Sequence, residues 1–272
     1  MATMPAVRES GQGAAVICLH CSASTGGQWR ALGERLSRRW RAMAPDLYGY
    51  GKDAPRDRLA DLDLGDELES LQPVLDRAGA RFDLVGHSYG GLIALHIALR
   101  MPERVRSVAL YEPATWSLAT QADPTHPGSV EIESVRDATI AAVAGGRLEE
   151  TAEAFVKYWA GTAAWDAMPP DRRRITAESM PKVGAEFRAE REHARSGVRL
   201  ADFYAAVRCL VLYLTGSRTK ASARRVSELL PAVLGDCRVV TIEGAGHMGP
   251  VTHADAVSAQ IETFLAGQET PA

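Results

Sequence analysis

Phe82-Asp83-Leu84-Val85-Gly86-His87-Ser88-Tyr89-Gly90-Gly91-Leu92 is the most informative stretch of this chain. Residues 82–85 form an apolar run that is too short for a helix and fits a buried strand. Residues 90–101 read as a helix that begins almost at once. The chain must therefore reverse from strand to helix within about one residue, which forces the central residue into strained backbone geometry. Side chains two positions to either side would collide, and Gly86 and Gly90 remove that collision. Ser88 is left at the tip, beside the N-terminus of the following helix, where backbone N–H groups favour negative charge. The pattern G-x-S-x-G is weak by itself. Its setting, after an apolar strand and opening an apolar helix, is what gives it weight.

Outward from this turn, short apolar runs recur at residues 15–19, 42–45, 105–111, 210–214 and 239–242, each fit for a strand. Helical spacing fills the intervals at 28–39, 62–78, 223–234 and 256–265, with Pro73 an irregularity in the second. Strands alternating with helices predict an α/β domain with a mostly parallel, doubly wound sheet covered on both faces. The stretch from about residue 120 to 201 breaks the rhythm. It holds helical segments at 135–144 and 149–160, then Pro169-Pro170 and Pro181, and no convincing strand. It reads as a helical cap inserted at 120–201 into a core formed by 1–119 and 202–272, and as a lid over a site.

Bulk properties narrow the classes. The chain has 272 residues, enough for one large α/β domain, and 46% hydrophobic with 24% charged residues argues against disorder. A formal net charge of −3 gives no electrostatic reason to expect nucleic acid or an anionic membrane as partner. Residues 1–13 carry charge and glycine where a secretion signal needs an apolar core, and no apolar run approaches a membrane span, so the expectation is a cytoplasmic protein. The four cysteines are then expected as free thiols. Cys18 and Cys21 have metal-like spacing but no second ligand pair, and a strand end is the better reading.

With these motifs in place, the chain resembles the α/β-hydrolase family, in its branch with a helical cap, from Ala15 to Leu265. Leu19-His20-Cys21-Ser22 is similar to the family's His-Gly-x turn, Asp46 to Lys52 to its D-x-x-G-x-G turn, and Gly244-Ala245-Gly246-His247 to the ending that carries the family's histidine. About fourteen residues precede the first core strand, so the family's first strand is expected to be missing. The resemblance implies Ser88 as nucleophile and His247, after the last strand, as its base. A serine there favours acyl transfer, because dehalogenase and epoxide-hydrolase chemistry on this scaffold needs a carboxylate. His87 is expected to point away from Ser88, and His20 to bond nearby backbone.

The acid departs from the family's commonest pattern. The slot after the penultimate strand, in Leu214-Thr215-Gly216-Ser217-Arg218-Thr219, holds Thr219. Some relatives place the acid one strand after the nucleophile, and Glu112 stands there, so it is assigned as the acid. The resemblance also implies oxyanion donors at the amides of Ser22 and Tyr89. Trp116, Trp159 and Met248 are candidate substrate-binding residues, with Phe155, Tyr158 and Trp165 as further cap aromatics. The expected activity is hydrolysis of a small-molecule carboxylic ester, with no metal and no cofactor. Lactone or carbon–carbon bond hydrolysis fits the same site. A non-catalytic ligand-binding protein is the alternative of another class, motivated by Thr219 in the acid slot.

Overall fold

The computed structural model describes residues 4–51, 57 and 59–268. Lys52, which closes the turn read from Asp46, and the ends of the charged N-terminal stretch and of the core range lie outside them. A seven-stranded sheet has the order β1-β3-β2-β4-β5-β6-β7, built from β1 (Val7–Ser10), β2 (Ala14–Leu19), β3 (Trp40–Pro45), β4 (Phe82–His87), β5 (Val105–Tyr111), β6 (Leu210–Gly216) and β7 (Cys237–Ile242). Neighbours from β3 through β7 run parallel, and only β1 is antiparallel, paired to β3. Every run read as a strand in the sequence is found.

The sequence reading named no strand ahead of residues 15–19, but one is present. β1 occupies the sheet edge, with Val7 opposite Pro45 and Ser10 opposite Ala42. Four residues suffice because the chain returns at once, through Gly11 at φ 77°, to enter β2. A Cβ on Gly11 would stand 2.2 Å from Trp40 O. Arg8 on this strand also reaches Asp46 at 2.7 Å.

The alternation expected of a sheet buried on both faces holds residue by residue. In β2, Ile17 and Leu19 join the core under the helices α2 (Leu64–Arg77) and α3 (Tyr89–Arg100), whereas Val16 and Cys18 join the core on the opposite face. That second core lies under α1 (Arg30–Leu36) and α12 (Ala254–Ala266). α3 follows the turn at Ser88 with no polar face, because every residue from Tyr89 to Ala98 is buried.

Between β5 and β6 the chain is helical: α4 (Trp116–Ala122), α5 (Pro127–Ala144), α6 (Leu148–Ala160), α7 (Thr162–Asp166), α8 (Pro170–Arg195) and α9 (Leu200–Ala205). Pro169-Pro170 marks a helix start, with Pro170 in the first turn where its missing N–H costs nothing. Pro181 lies inside α8, which continues through it for 26 residues. The remaining elements are α10 (Ala221–Val233) and α11 (Gly249–Thr252). Among the described residues, no helix is long and apolar enough to cross a membrane.

Candidate active site

The parallel strands deliver their C-terminal ends to one edge of the sheet, where ligand crevices form in such folds. Ser22 follows β2, Ser88 follows β4, Glu112 follows β5 and His247 follows β7. Ser88 has φ 52° and ψ −118°. A Cβ on Gly86 would stand 2.5 Å from Gly90 O, and one on Gly90 would stand 2.4 Å from Leu19 O. Both glycines are therefore required by backbone contact. Among the described residues, the non-glycine residues with positive φ are Ala23, Ser88 and Glu112. Such backbone costs about 1–3 kcal/mol per residue and persists where surroundings over-determine it. Here all three flank or form one site. The Ser88 backbone is also tied to the segment around Glu112: Ser88 N donates to Tyr111 O at 3.0 Å, and Ala114 N donates to Ser88 O at 2.9 Å.

His247 Nε2 lies 3.0 Å from Ser88 Oγ, and His247 Nδ1 lies 2.8 Å from Glu112 Oε2. All three side chains are buried. The partners assign the tautomer: Nδ1–H donates to the carboxylate, leaving Nε2 to accept from the serine. Burial alone would push the Glu112 carboxyl up. The hydrogen bond and charge of His247, with the Gly216 amide and the Thr219 hydroxyl, outweigh burial and hold it below the usual carboxylate value.

Thr219 has a part that the sequence reading missed. Its hydroxyl donates to Glu112 Oε2 at 2.7 Å, while Thr215 Oγ1 and Gly216 N donate to Oε1 at 2.9 and 2.8 Å. The residue in the family's usual acid slot thus solvates an acid arriving from the neighbouring strand.

The other nearby histidines are structural, as expected. His87 Nε2 lies 2.8 Å from His247 O, and its Nδ1 lies 3.1 Å from Gln28 Nε2. Burial, then the nearby His247, lowers its pKa well below the ordinary value, so it serves as a neutral strut under the His247 backbone. Tyr111 adds a second strut by donating to Gly246 O at 2.8 Å. His20 Nδ1 lies 2.7 Å from Cys21 O, and Leu47 N donates to its Nε2 at 3.0 Å, joining the loops after β2 and β3. Burial pushes the Cys18 and Cys21 thiols up to about 12, which keeps both protonated near neutrality.

Ser22, Ser88 and Tyr89 line one cleft. Gln28 Oε1 pins the oxyanion-loop candidate by accepting from Cys21 N at 3.1 Å. Trp116 and Trp159 also line the cleft; they stack at 5.3 Å, and Trp159 lies 4.1 Å, centroid to centroid, from the His247 ring. Phe155 joins them, whereas Tyr158 and Trp165 are not among the lining residues. Met248 is not among them either: the chain turns into α11 directly after His247 and leaves it half-buried at that helix's N-terminus.

Two carboxyls in the cleft were not anticipated. Glu186 and Glu190 stand one turn apart on α8 and line it opposite the sheet. Ser22 Oγ donates to Glu186 Oε2 at 2.5 Å and Tyr50 OH to Oε1 at 2.8 Å. Lys182 lies 3.5 Å from Glu186 and closer still to the buried Glu67 of α2. Burial pushes the Glu186 carboxyl up to about 7, against the lowering effects of Lys182, Ser22 and Tyr50. Ser22, Tyr50 and Glu67 come from segments far from α8 in sequence, and no local motif signals them.

Comparison with known proteins agrees with this architecture. A model described as the alpha/beta hydrolase family matches residues 16–260. The 2-(acetamidomethylene)succinate hydrolase of Mesorhizobium japonicum is 32% identical over 256 residues, covering 89% of this chain and 84% of that protein. The pimeloyl-[acyl-carrier protein] methyl ester esterase of Neisseria meningitidis serogroup B is 28% identical, covering 86% and 85%. A thermophilic esterase from Thermogutta terrifontis superposes with a TM-score of 0.74 at 21% identity, covering 97% of this chain and 94% of that one, a likeness of fold.

Proposed function

The chain belongs to the alpha/beta hydrolase family, and on that premise we propose that it hydrolyses a small-molecule carboxylic ester through an acyl-enzyme on Ser88. Ser88 Oγ attacks the ester carbonyl carbon while His247 Nε2 takes its proton. The carbonyl oxygen becomes an oxyanion held by the Ser22 and Tyr89 amides. Collapse breaks the bond to the alcohol, which leaves with the proton from His247. Water then repeats the sequence on the acyl-enzyme: it gives a proton to His247, attacks the carbonyl, and releases the acid as Ser88 recovers its hydrogen. Glu112 accepts from Nδ1 throughout, fixing the tautomer and offsetting the imidazolium charge. Residues 120–201 act as the cap, with Trp116 and Trp159 walling the cleft between cap and core.

The observation that carries this reading is the unbroken hydrogen-bonded chain from Ser88 through His247 to Glu112, buried and aimed at a cleft. It also removes the motive for the non-catalytic alternative, since an acid meets His247 from β5 despite Thr219. The esterase among the relatives supports ester as the bond class. Labelling with a fluorophosphonate tests the reading. The wild type is expected to label and Ser88→Ala to stay unlabelled; an unlabelled wild type, or a labelled variant, overturns it. Release of p-nitrophenol from short-chain esters, abolished in Ser88→Ala, is the matching activity readout.

A further inference from the structure

The two glutamates that face the cleft are not equivalent. Glu190 has a cation of its own: it accepts from Ser117 N and Ser117 Oγ at 2.7 Å each and from Arg136 Nη2 at 2.5 Å, although burial still raises its carboxyl. Glu186 has two hydroxyl donors, but the cation beside it, Lys182, is shared with Glu67 and held more closely by it. Two buried carboxyls thus divide one ammonium. Among the described residues, those lining the cleft are Ser22, Ser88, these two glutamates and apolar or aromatic side chains, with no lysine or arginine.

We propose that Glu186 sets the charge selectivity of the cleft: it admits esters whose acyl and alcohol parts are uncharged and rejects those bearing a carboxylate near the reacting group. The proposal rests on the ester hydrolysis at Ser88 proposed above. An anion entering the cleft must exchange its hydration for partners there, and it meets Glu186, a carboxyl whose nearest cation, Lys182, is already held by Glu67. A neutral chain loses little hydration and gains contact with Trp116, Trp159, Phe155 and Phe187.

The charge on Glu186 gives this selectivity a pH dependence. The groups facing it are Lys182 on its own helix, Glu67 on α2, Tyr89 on α3, and Ser22, Cys21 and Tyr50 from the loops after β2 and β3. Burial raises the Cys21 thiol and the Tyr50 and Tyr89 phenols, so these stay neutral across the working range. Glu186, at about 7, gains its charge within that range. Rejection of a substrate carboxylate is therefore weaker below this value and grows as pH rises through it.

The experiment compares methyl valerate with monomethyl glutarate, equal in acyl length, from pH 6 to 8.5, with methanol release followed by NMR. The ratio of their kcat/KM values cancels the ionisations of the shared Ser88 and His247 machinery. A ratio favouring valerate by about tenfold or more at high pH, shrinking several-fold toward pH 6, is expected from like-charge rejection. In Glu186→Gln the ratio is expected to shrink several-fold at high pH and to lose its pH dependence, leaving only the cost of the substrate carboxylate's lost hydration. A ratio near one throughout, or one favouring glutarate, overturns the proposal. So does a pH-dependent ratio that persists in a folded Glu186→Gln. If that variant fails to fold, the wild-type pH series still decides. If neither ester turns over, the rates at which a neutral and a carboxylate-tailed fluorophosphonate label Ser88 read the same selectivity. Absence of any labelling defeats the hydrolase reading and this one together, whereas cleavage of both esters at equal rates defeats this one alone.

Discussion

Glu112→Gln isolates the acid of the proposed mechanism, because it changes one charge and the donor pattern of a buried side chain while keeping its shape. Oε1 of Glu112 accepts from Gly216 N and Thr215 Oγ1, and a backbone N–H cannot turn away, so the amide oxygen takes that place. The new NH2 group then stands where Oε2 stood, 2.7 Å from Thr219 Oγ1 and 2.8 Å from His247 Nδ1. Thr219 can rotate its hydroxyl and accept. His247 can avoid two opposed donors only by moving its proton from Nδ1 to Nε2, the atom 3.0 Å from Ser88 Oγ. A protonated Nε2 cannot take the serine proton. The corresponding acid-to-amide change in a serine protease triad costs about 10⁴-fold, so the loss of kcat expected here is about 10³–10⁴-fold, or about 4–5.5 kcal/mol of barrier, with KM little changed. The assay is p-nitrophenyl ester turnover beside a thermal melt. A loss below tenfold in a folded variant would remove Glu112 from the machinery. As a complement, Glu112→Ala combined with Thr219→Asp should recover part of the lost rate.

Three further outcomes are expected. Glu186 binds its proton more tightly folded, at about 7, than unfolded, near about 4.3, so its stabilising contribution is full below the lower value and is lost as pH rises through the higher one. Melting across pH 5 to 8.5 should show Glu186→Gln losing less stability than wild type over that window, by up to about 3 kcal/mol; parallel curves would refute the shift. Gly90→Ala drives a Cβ to within 2.5 Å of the Leu19 and His20 carbonyl oxygens, so a loss of about 3 kcal/mol or more, with loss of Ser88 labelling, is expected, and an unchanged melt would contradict the turn geometry. Trp159→Ala removes the ring stacked on Trp116 and lying against His247; denaturant unfolding should register about 3 kcal/mol, and KM should rise more than kcat falls, whereas unchanged kinetics would take Trp159 out of the cleft wall.

What the sequence disclosed followed how local each requirement is. Ser88 and His247 were legible because each belongs to a turn whose residue types answer to constraints a few residues wide, and the strand pattern placed both turns at one edge. Glu112 was legible from its position after the strand beside the nucleophile's. The role of Thr219 was not, since a threonine in a loop carries no sign of the carboxylate it solvates. β1 was missed because Val-Arg-Glu-Ser at an edge, with Arg8 and Glu9 exposed, has no apolar run to announce it. Glu186 and Lys182 were missed for a related reason. α8 is polar in composition and reads as a solvated helix, yet from Lys182 to Phe187 it is buried, and its charges are balanced by residues more than a hundred positions away.

The oxygen that Glu112 presents to His247 can be approached from either of two adjacent strand ends, and the hydroxyl of Thr219 already occupies the second approach. On the proposed mechanism, exchanging side chains at these two positions would move the acid between β5 and β6. The physics also selects the route. A chain carrying both carboxylates would crowd two negative charges around one imidazole and force one to keep its proton. A chain carrying a hydroxyl at one position meets no such barrier. On that mechanism, Thr219 is the kind of residue that would let a catalytic acid migrate across a sheet while the reaction it serves continues.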